Sequence, residues 1–341
     1  MANYVDALES AFAKAAQRVG EVTAAMVLAG KCIRMRLAGD TLSPALMGAL
    51  AHLSRADAGQ IADLEIRCWD SAATAESFPE PPWQWPQNAA ATVALPRSPF
   101  RLWTTPARDA LILFDVRRRR AVFWARSAES LPTHWYASPL LMLFHWWANS
   151  EDLHLLHAGC VGLVGDGILL GGRGGSGKST IALLALLDGF KYVSDDYCVL
   201  ESGSPPRAHC LYSTAKLERQ HLMRFSEFGH LATDPLPDEY GKPVLYLAPH
   251  YPGQISGALA LRCVVLPRLT VGGDTRWEPV SAPEALRALA PTTLLQLPDA
   301  HGSSFSALAM LVRQLPCFRL EFGARRESVG PALREMLAAV R

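Results

Sequence analysis

Eight residues, Gly172-Arg173-Gly174-Gly175-Ser176-Gly177-Lys178-Ser179, constrain this chain more than any others. They fit the pattern G-x-x-x-x-G-K-[ST] at every position. The apolar run GILLGG leads in, and the apolar run STIALLALLDGF follows and stops at Gly189. Strand, glycine-rich turn, helix and strand in that order predict an α/β unit. Glycines here let backbone N–H groups turn inward, in conformations that a side chain would hinder. The positive end of the following helix points the same way. The segment therefore predicts an anion site for the phosphates of a nucleotide, ATP with Mg²⁺. Its lining would be Gly172, Gly174, Gly175, Ser176, Gly177, Lys178, Ser179 and Thr180. Lys178 is placed to reach the β- and γ-phosphates, Ser179 to ligate Mg²⁺, and Thr180 to help near the α-phosphate.

Phosphoryl transfer also needs an acid for the metal and a group to orient or deprotonate the acceptor. Asp195 and Asp196 lie 195 − 178 = 17 residues beyond the lysine, inside KYVSDDYCVLES, which reads as one strand. Adjacent side chains on a strand face opposite sides. One carboxylate is thus predicted to face the Mg²⁺ shell and the other the acceptor; the alternative is a solvated strand end or helix cap. Two carboxylates in so apolar a run are costly unless metal or partners compensate them. Asp115, in LILFD, superficially matches a strand-plus-acid metal motif. It precedes the glycine loop and leads into Arg117 to Arg120, so it reads as a hairpin end. The LSGGQ and hhhhDE patterns of motor and transporter ATPases are absent from the sequence.

Around this unit the chain organises simply. Residues 1–135 read as a small α+β module and 136–341 as the nucleotide-binding domain. The module opens on an amphipathic helix with Asp6 and Glu9, then strands within 25–39, a helix over 43–54 capped by Ser43, and a strand over 62–70. ALILFDV and AVFWARS form a hairpin around the arginine run, which is a solvated turn or a partner-binding patch. The proline-rich stretch 77–87 is a loop. Trp69, Trp83, Trp85 and Trp103 serve either as core or as peptide anchors. In the second part, LHAGCVGLV and GILLGG make a hairpin through Gly165-Asp166-Gly167. Helices are expected over 284–297 and 305–315, with Gly302-Ser303-Ser304 a flexible loop, a candidate lid. Lys216, Arg262 and Arg268 are either phosphate contacts or surface cations.

Charge decides what partners to expect. Lys+Arg total 33 against 32 Asp+Glu, a net charge of +1, which gives no electrostatic case for nucleic acid. The seven cysteines form no C-x-x-C pair, no uncharged run is long enough to span a membrane, and the N-terminus does not read as a signal peptide. A cytoplasmic protein with reduced thiols, with no membrane or nucleic-acid partner, is expected; a homo-oligomer is left open.

With those residues in hand, 153–200 resembles the catalytic domain of HPr kinase/phosphorylase and its relatives. The elements are His157-Ala158-Gly159, the loop Gly172 to Ser179, and Ser194-Asp195-Asp196, with His157 standing 178 − 157 = 21 residues before Lys178. The resemblance implies an HPr-kinase-like (PEP carboxykinase-like) P-loop domain with a mixed sheet. It also implies a catalytic set of Asp195 as general base, His157 as its partner and Lys178, with Ser179 and Asp196 on the metal. The family's later metal-binding glutamate has no clear counterpart; Glu201 and Glu218 are candidates. In style the remainder is similar to HPr-kinase-like proteins found beside peptide-modification genes, some of which phosphorylate a serine of a lasso or other peptide. A serine kinase acting on a peptide or protein is therefore expected. The competing readings are a nucleotide-binding or ATP-hydrolysing regulator and a small-molecule hydroxyl kinase.

Overall fold

The structure is a computed structural model that describes residues 2–56, 59–82, 92–94, 98–223, 225–233, 242–298 and 301–340. The chain divides into two compact units, Met1–Ser150 and Glu151–Arg341.

In the first unit, helix α1 (Ala2–Val19) precedes, among the described residues, eight strands: β1 (Glu21–Leu28), β2 (Lys31–Ala38), β3 (Ser54–Arg55), β4 (Leu64–Asp70), β5 (Thr92–Ala94), β6 (Phe100–Thr104), β7 (Ala110–Asp115) and β8 (Arg120–Ala125). They form one sheet in the order β3-β1-β2-β4-β8-β7-β6-β5. The pairs β2–β4 and β4–β8 are parallel and the rest antiparallel. Short helices α2 (Ser43–Met47), α3 (Ser71–Thr74) and α4 (His134–Ala137) precede α5 (Leu141–Ser150). Leu8, Phe12 and Ala15 of α1 lie on the sheet with Trp69 and Trp124. The arginine run forms the β7–β8 turn, where Asp115 Oδ1 accepts from the N–H groups of Arg117 (3.0 Å) and Arg118 (3.1 Å). Trp69 is fully buried and belongs to the core, whereas Trp103 is half-buried and packs against Trp135 at 5.3 Å. Trp83 and Trp85 lie outside the described residues.

The second unit contains β9 (Leu153–Leu156), β10 (Gly159–Leu163), β11 (Asp166–Leu170), α6 (Lys178–Leu187), β12 (Lys191–Ser194), β13 (Cys198–Glu201) and β14 (Arg207–Cys210). There follow β15 (Thr214–Lys216), α7 (Arg219–Leu222), β16 (Ala232–Thr233), β17 (Val244–Tyr246), β18 (Ala258–Leu269) and β19 (Arg276–Val280). Helices α8 (Ala282–Gln296) and α9 (His301–Gln314), strand β20 (Cys317–Phe322) and helix α10 (Val329–Ala339) complete it. The main sheet runs β12-β10-β11-β18-β14-β13-β9, with β20 joining β18 to β19; β15-β17-β16 form a small sheet. It is mixed, because β11–β18 and β18–β20 are parallel. Alternation sends Ile168 and Leu170 to one face with α6 and α10, and Leu169 and Val264 to the other with α8 and α9. The α/β class expected from the sequence is what forms.

Five local expectations are corrected. The helix at 43–47 has Leu42, not Ser43, at its N-cap, because Pro44 fits the first turn and Ser43 is already helical. Residues 302–304 belong to α9 and form no flexible lid. Helix α5 falls in the first unit, so the boundary lies at 150/151 rather than 135/136. KYVSDDYCVLES is not one strand: β12 ends at Ser194 and β13 begins at Cys198. LHAGCVGLV breaks in the same way at His157-Ala158. The pairs Leu156–Cys198 and Cys160–Ser194 keep one register on either side. His157 and Ala158 therefore face Asp195–Tyr197 where neither ladder continues, and both breaks hold site residues.

Candidate functional site

Strand β11 delivers the chain into the glycine loop, and Gly171 N–H is tied back to Val265 O at 2.8 Å. Gly177 stands just before α6 at φ +103°, a left-handed conformation that glycine adopts without strain. A Cβ there would also collide with the ring of Phe322. Lys178 opens α6 and is buried to 6% exposure; its Nζ donates to Gly172 O at 2.8 Å. Burial lowers its pKa, and the charges of Asp196 and Asp195 oppose that shift. The first N–H groups of α6 have no intrahelical partner and add to the positive potential at the loop.

The loop lines a cavity of about 900 Å³ together with His157, Asp195, Asp196, Tyr197, Lys216 and Gln296. Asp195 is 3% exposed. Its Oδ1 lies 3.2 Å from the Tyr192 hydroxyl, its Oδ2 accepts from Lys216 N–H at 3.2 Å, and Ser179 Oγ donates to it. Burial first, and the neighbouring Asp196 charge second, raise its pKa to about 6. Asp196 is burdened by burial too, but Lys216 and His157 outweigh that and hold its carboxyl well below the ordinary range. Lys216 Nζ is 2.7 Å from Asp196 Oδ2, and His157 Nε2 is 2.8 Å from Asp196 Oδ1.

Two adjacent carboxylates thus share one cavity in unlike settings. Strand parity would have sent them to opposite faces; the break between β12 and β13 removes that constraint. The pairing expected between His157 and Asp195 is also corrected, since the imidazole sits on Asp196. Register explains this: His157 lies opposite the Asp195–Tyr197 gap and its ring packs on Tyr197 at 5.2 Å.

The other candidates separate cleanly. Lys216 belongs to the site, whereas Arg262 pairs with Asp166 at 2.6 Å and Arg268 with Glu321 at 3.2 Å, and neither lines the cavity. Glu201 pairs with His209, away from the cavity. Glu218 lines it and lies 3.5 Å from Lys242. Tyr192, Tyr197 and Gln296 are additions that sequence reasoning missed; only the neighbourhood of Tyr197 to the acid pair could have pointed to it.

The donor set fits magnesium bound through few protein ligands. Among the described residues no group of three or more His, Cys, Asp or Glu could hold a metal. Mg²⁺ commonly takes one or two carboxylates together with nucleotide phosphates and water. Ser179 and Asp195, hydrogen-bonded to each other, are oxygen donors of that kind. No helix among the described residues is long and apolar enough to cross a membrane.

The sequence matches no family model and no curated protein. Among solved structures, the Hpr(Ser) kinase/phosphatase from Coxiella burnetii aligns with 55% of this chain and 97% of its own, at a TM-score of 0.31 and 11% identity. The likeness is slight, and the chemistry of the site rests on its own residues.

Proposed function

We propose that the second unit transfers the γ-phosphoryl group of Mg²⁺-bound ATP to a hydroxyl, that of a serine in a peptide or protein. The observation that carries the reading is the unlike setting of Asp195 and Asp196 within one P-loop cavity. Asp195 is buried and raised in pKa, and it is bonded to the loop serine. A carboxylate that burial disfavours gains most from a nearby divalent cation. We therefore place Asp195, with Ser179, on the metal side, and Asp196 on the acceptor side, the reverse of the roles that the resemblance implied.

Mg²⁺·ATP would supply the phosphoryl group and the divalent charge. The chain's own residues do the rest. Backbone N–H groups of the loop and Lys178 Nζ hold the phosphates and offset charge that develops on the transferred group. Asp196 orients the acceptor hydroxyl and takes its proton as the oxygen bonds to phosphorus and the bond to the departing ADP breaks. His157 and Lys216 hold that carboxylate in place. Its low pKa suits orientation more than strong basicity, and phosphoryl transfer depends chiefly on positioning and electrostatics. The serine acceptor is carried by the resemblance of the His-x-Gly, P-loop and Ser-Asp-Asp elements.

The test is incubation of the full chain with γ-labelled ATP, Mg²⁺ and a pool of serine-bearing peptides, read by mass spectrometry. The expected result is a phosphate mass shift on a serine, absent from Asp196→Asn. ATP bound or slowly hydrolysed with no peptide modified would favour the nucleotide-binding regulator instead.

A further inference from the structure

The acceptor-side pair is held from an unexpected quarter, the last turn of α8. Thr293 is fully buried, and its Oγ1 accepts from His157 N–H at 3.1 Å across 136 residues of sequence. Three residues on, Gln296 lines the cavity, and its Oε1 accepts from the Tyr197 hydroxyl at 2.6 Å. Tyr197 in turn packs its ring on the His157 imidazole. Each strand break is thus tied to the same helical turn: His157 through its backbone, Tyr197 through its hydroxyl.

Such ties matter because the breaks have no ladder to fix them. A residue within a strand is oriented by its neighbours' hydrogen bonds. His157 falls between β9 and β10 and lacks that frame. Its Nδ1 is buried without a hydrogen-bond partner among the described residues, so the ring's orientation rests on Asp196 at Nε2 and on the packing with Tyr197. Pro291 within α8 has no N–H to give to the preceding turn, yet Leu297 N–H still closes on Thr293 O at 3.0 Å, so the terminal turn is formed.

We infer that Thr293 and Gln296 are positioning residues, which set the His157–Asp196 pair against the acceptor without touching nucleotide. The inference rests on the phosphotransferase reading for its catalytic consequence, but its geometric part stands alone.

Two measurements on the full chain separate these. The first is nitrogen NMR of the His157 imidazole in the parent, Thr293→Val and Thr293→Ser, with His157→Gln to assign the signal. Thr293→Val should lose the Nε2 hydrogen-bond signature to Asp196 and Thr293→Ser should keep it. An unchanged signature in Thr293→Val overturns the inference whatever the activity. The second is Mg²⁺·ATP turnover with nucleotide affinity measured in parallel. A misplaced catalytic group can cost one to two orders of magnitude, so Thr293→Val should lower kcat about tenfold with ATP affinity within about twofold. Thr293→Ser should recover most of kcat, and Gln296→Leu should fall as Thr293→Val does. Equal losses of kcat and ATP affinity would mark a general structural role and overturn the inference, as would unchanged kcat in a folded Thr293→Val. No turnover in the parent with any acceptor would count against the phosphotransferase reading alone, and the NMR result would still decide the geometry.

Discussion

Two strand ends in this molecule, β7 and β12, share a sequence pattern of apolar residues leading into aspartate and differ in what that aspartate meets. Asp115 closes β7 in the first unit and spends Oδ1 on the N–H groups of its own turn, Arg117 and Arg118. Asp195 and Asp196 follow β12 in the second unit and, besides the nearby Tyr192 hydroxyl, spend their oxygens on groups distant in sequence: Ser179, Lys216 and His157. An acid satisfied by its own turn is structural. An acid satisfied by residues converging from several elements around a cavity is available for chemistry. The difference lies in the partners, which a local reading of apolar residues ending in Asp does not contain.

The largest effect is expected from removing the loop cation. Lys178→Ala should weaken ATP binding by about 10³-fold, since a desolvated charge-assisted contact is lost. Unaltered affinity by calorimetry would remove the P-loop from the account. Next, Asp196→Asn should lower transfer by at least about 10²-fold, the usual scale for a positioned proton acceptor, with ATP affinity within about twofold. In that variant the Asp195 carboxyl, at about 6 in the parent, should titrate at lower pH. The sign follows from the loss of a neighbouring negative charge that disfavours ionisation. Carbon NMR of labelled Asp195 reads it, and an upward move would contradict the description. Lys216→Met leaves Asp196 with His157 alone and should cost about tenfold in turnover with a lower Tm, because a half-buried carboxylate loses one of its two partners. At the small end, Asp115→Asn should leave turnover unchanged and cost about 1 kcal/mol in denaturant unfolding through weakened turn hydrogen bonds.

These effects also show what the sequence made legible. The loop from Gly172 to Thr180 was readable because its mechanics are contiguous: a strand, glycines able to turn, and a helix starting at the lysine. The β7–β8 hairpin was readable for a similar reason, with charged residues between two apolar runs. The strand breaks were not. No proline or glycine interrupts KYVSDDYCVLES, and only the pairing of β12 with β10 and β13 with β9 shows that the chain leaves one ladder and joins another. The pairing of His157 with Asp196 depends on that register. Lys216 and Gln296 arrive from elements with no motif of their own; Lys216 reads from sequence as either a phosphate contact or a surface cation, and β15 places it against the acid pair. Arg262 and Arg268 failed as phosphate contacts because each has a carboxylate nearby on the sheet.

ATP affinity measured with and without Mg²⁺ separates the roles of the two aspartates. In the parent and in Asp196→Asn, Mg²⁺ should strengthen ATP binding to a similar degree. In Asp195→Asn that increment should be largely lost while metal-free binding persists. Loss of the increment in Asp196→Asn, with Asp195→Asn behaving as the parent, would reverse the assignment and contradict the account.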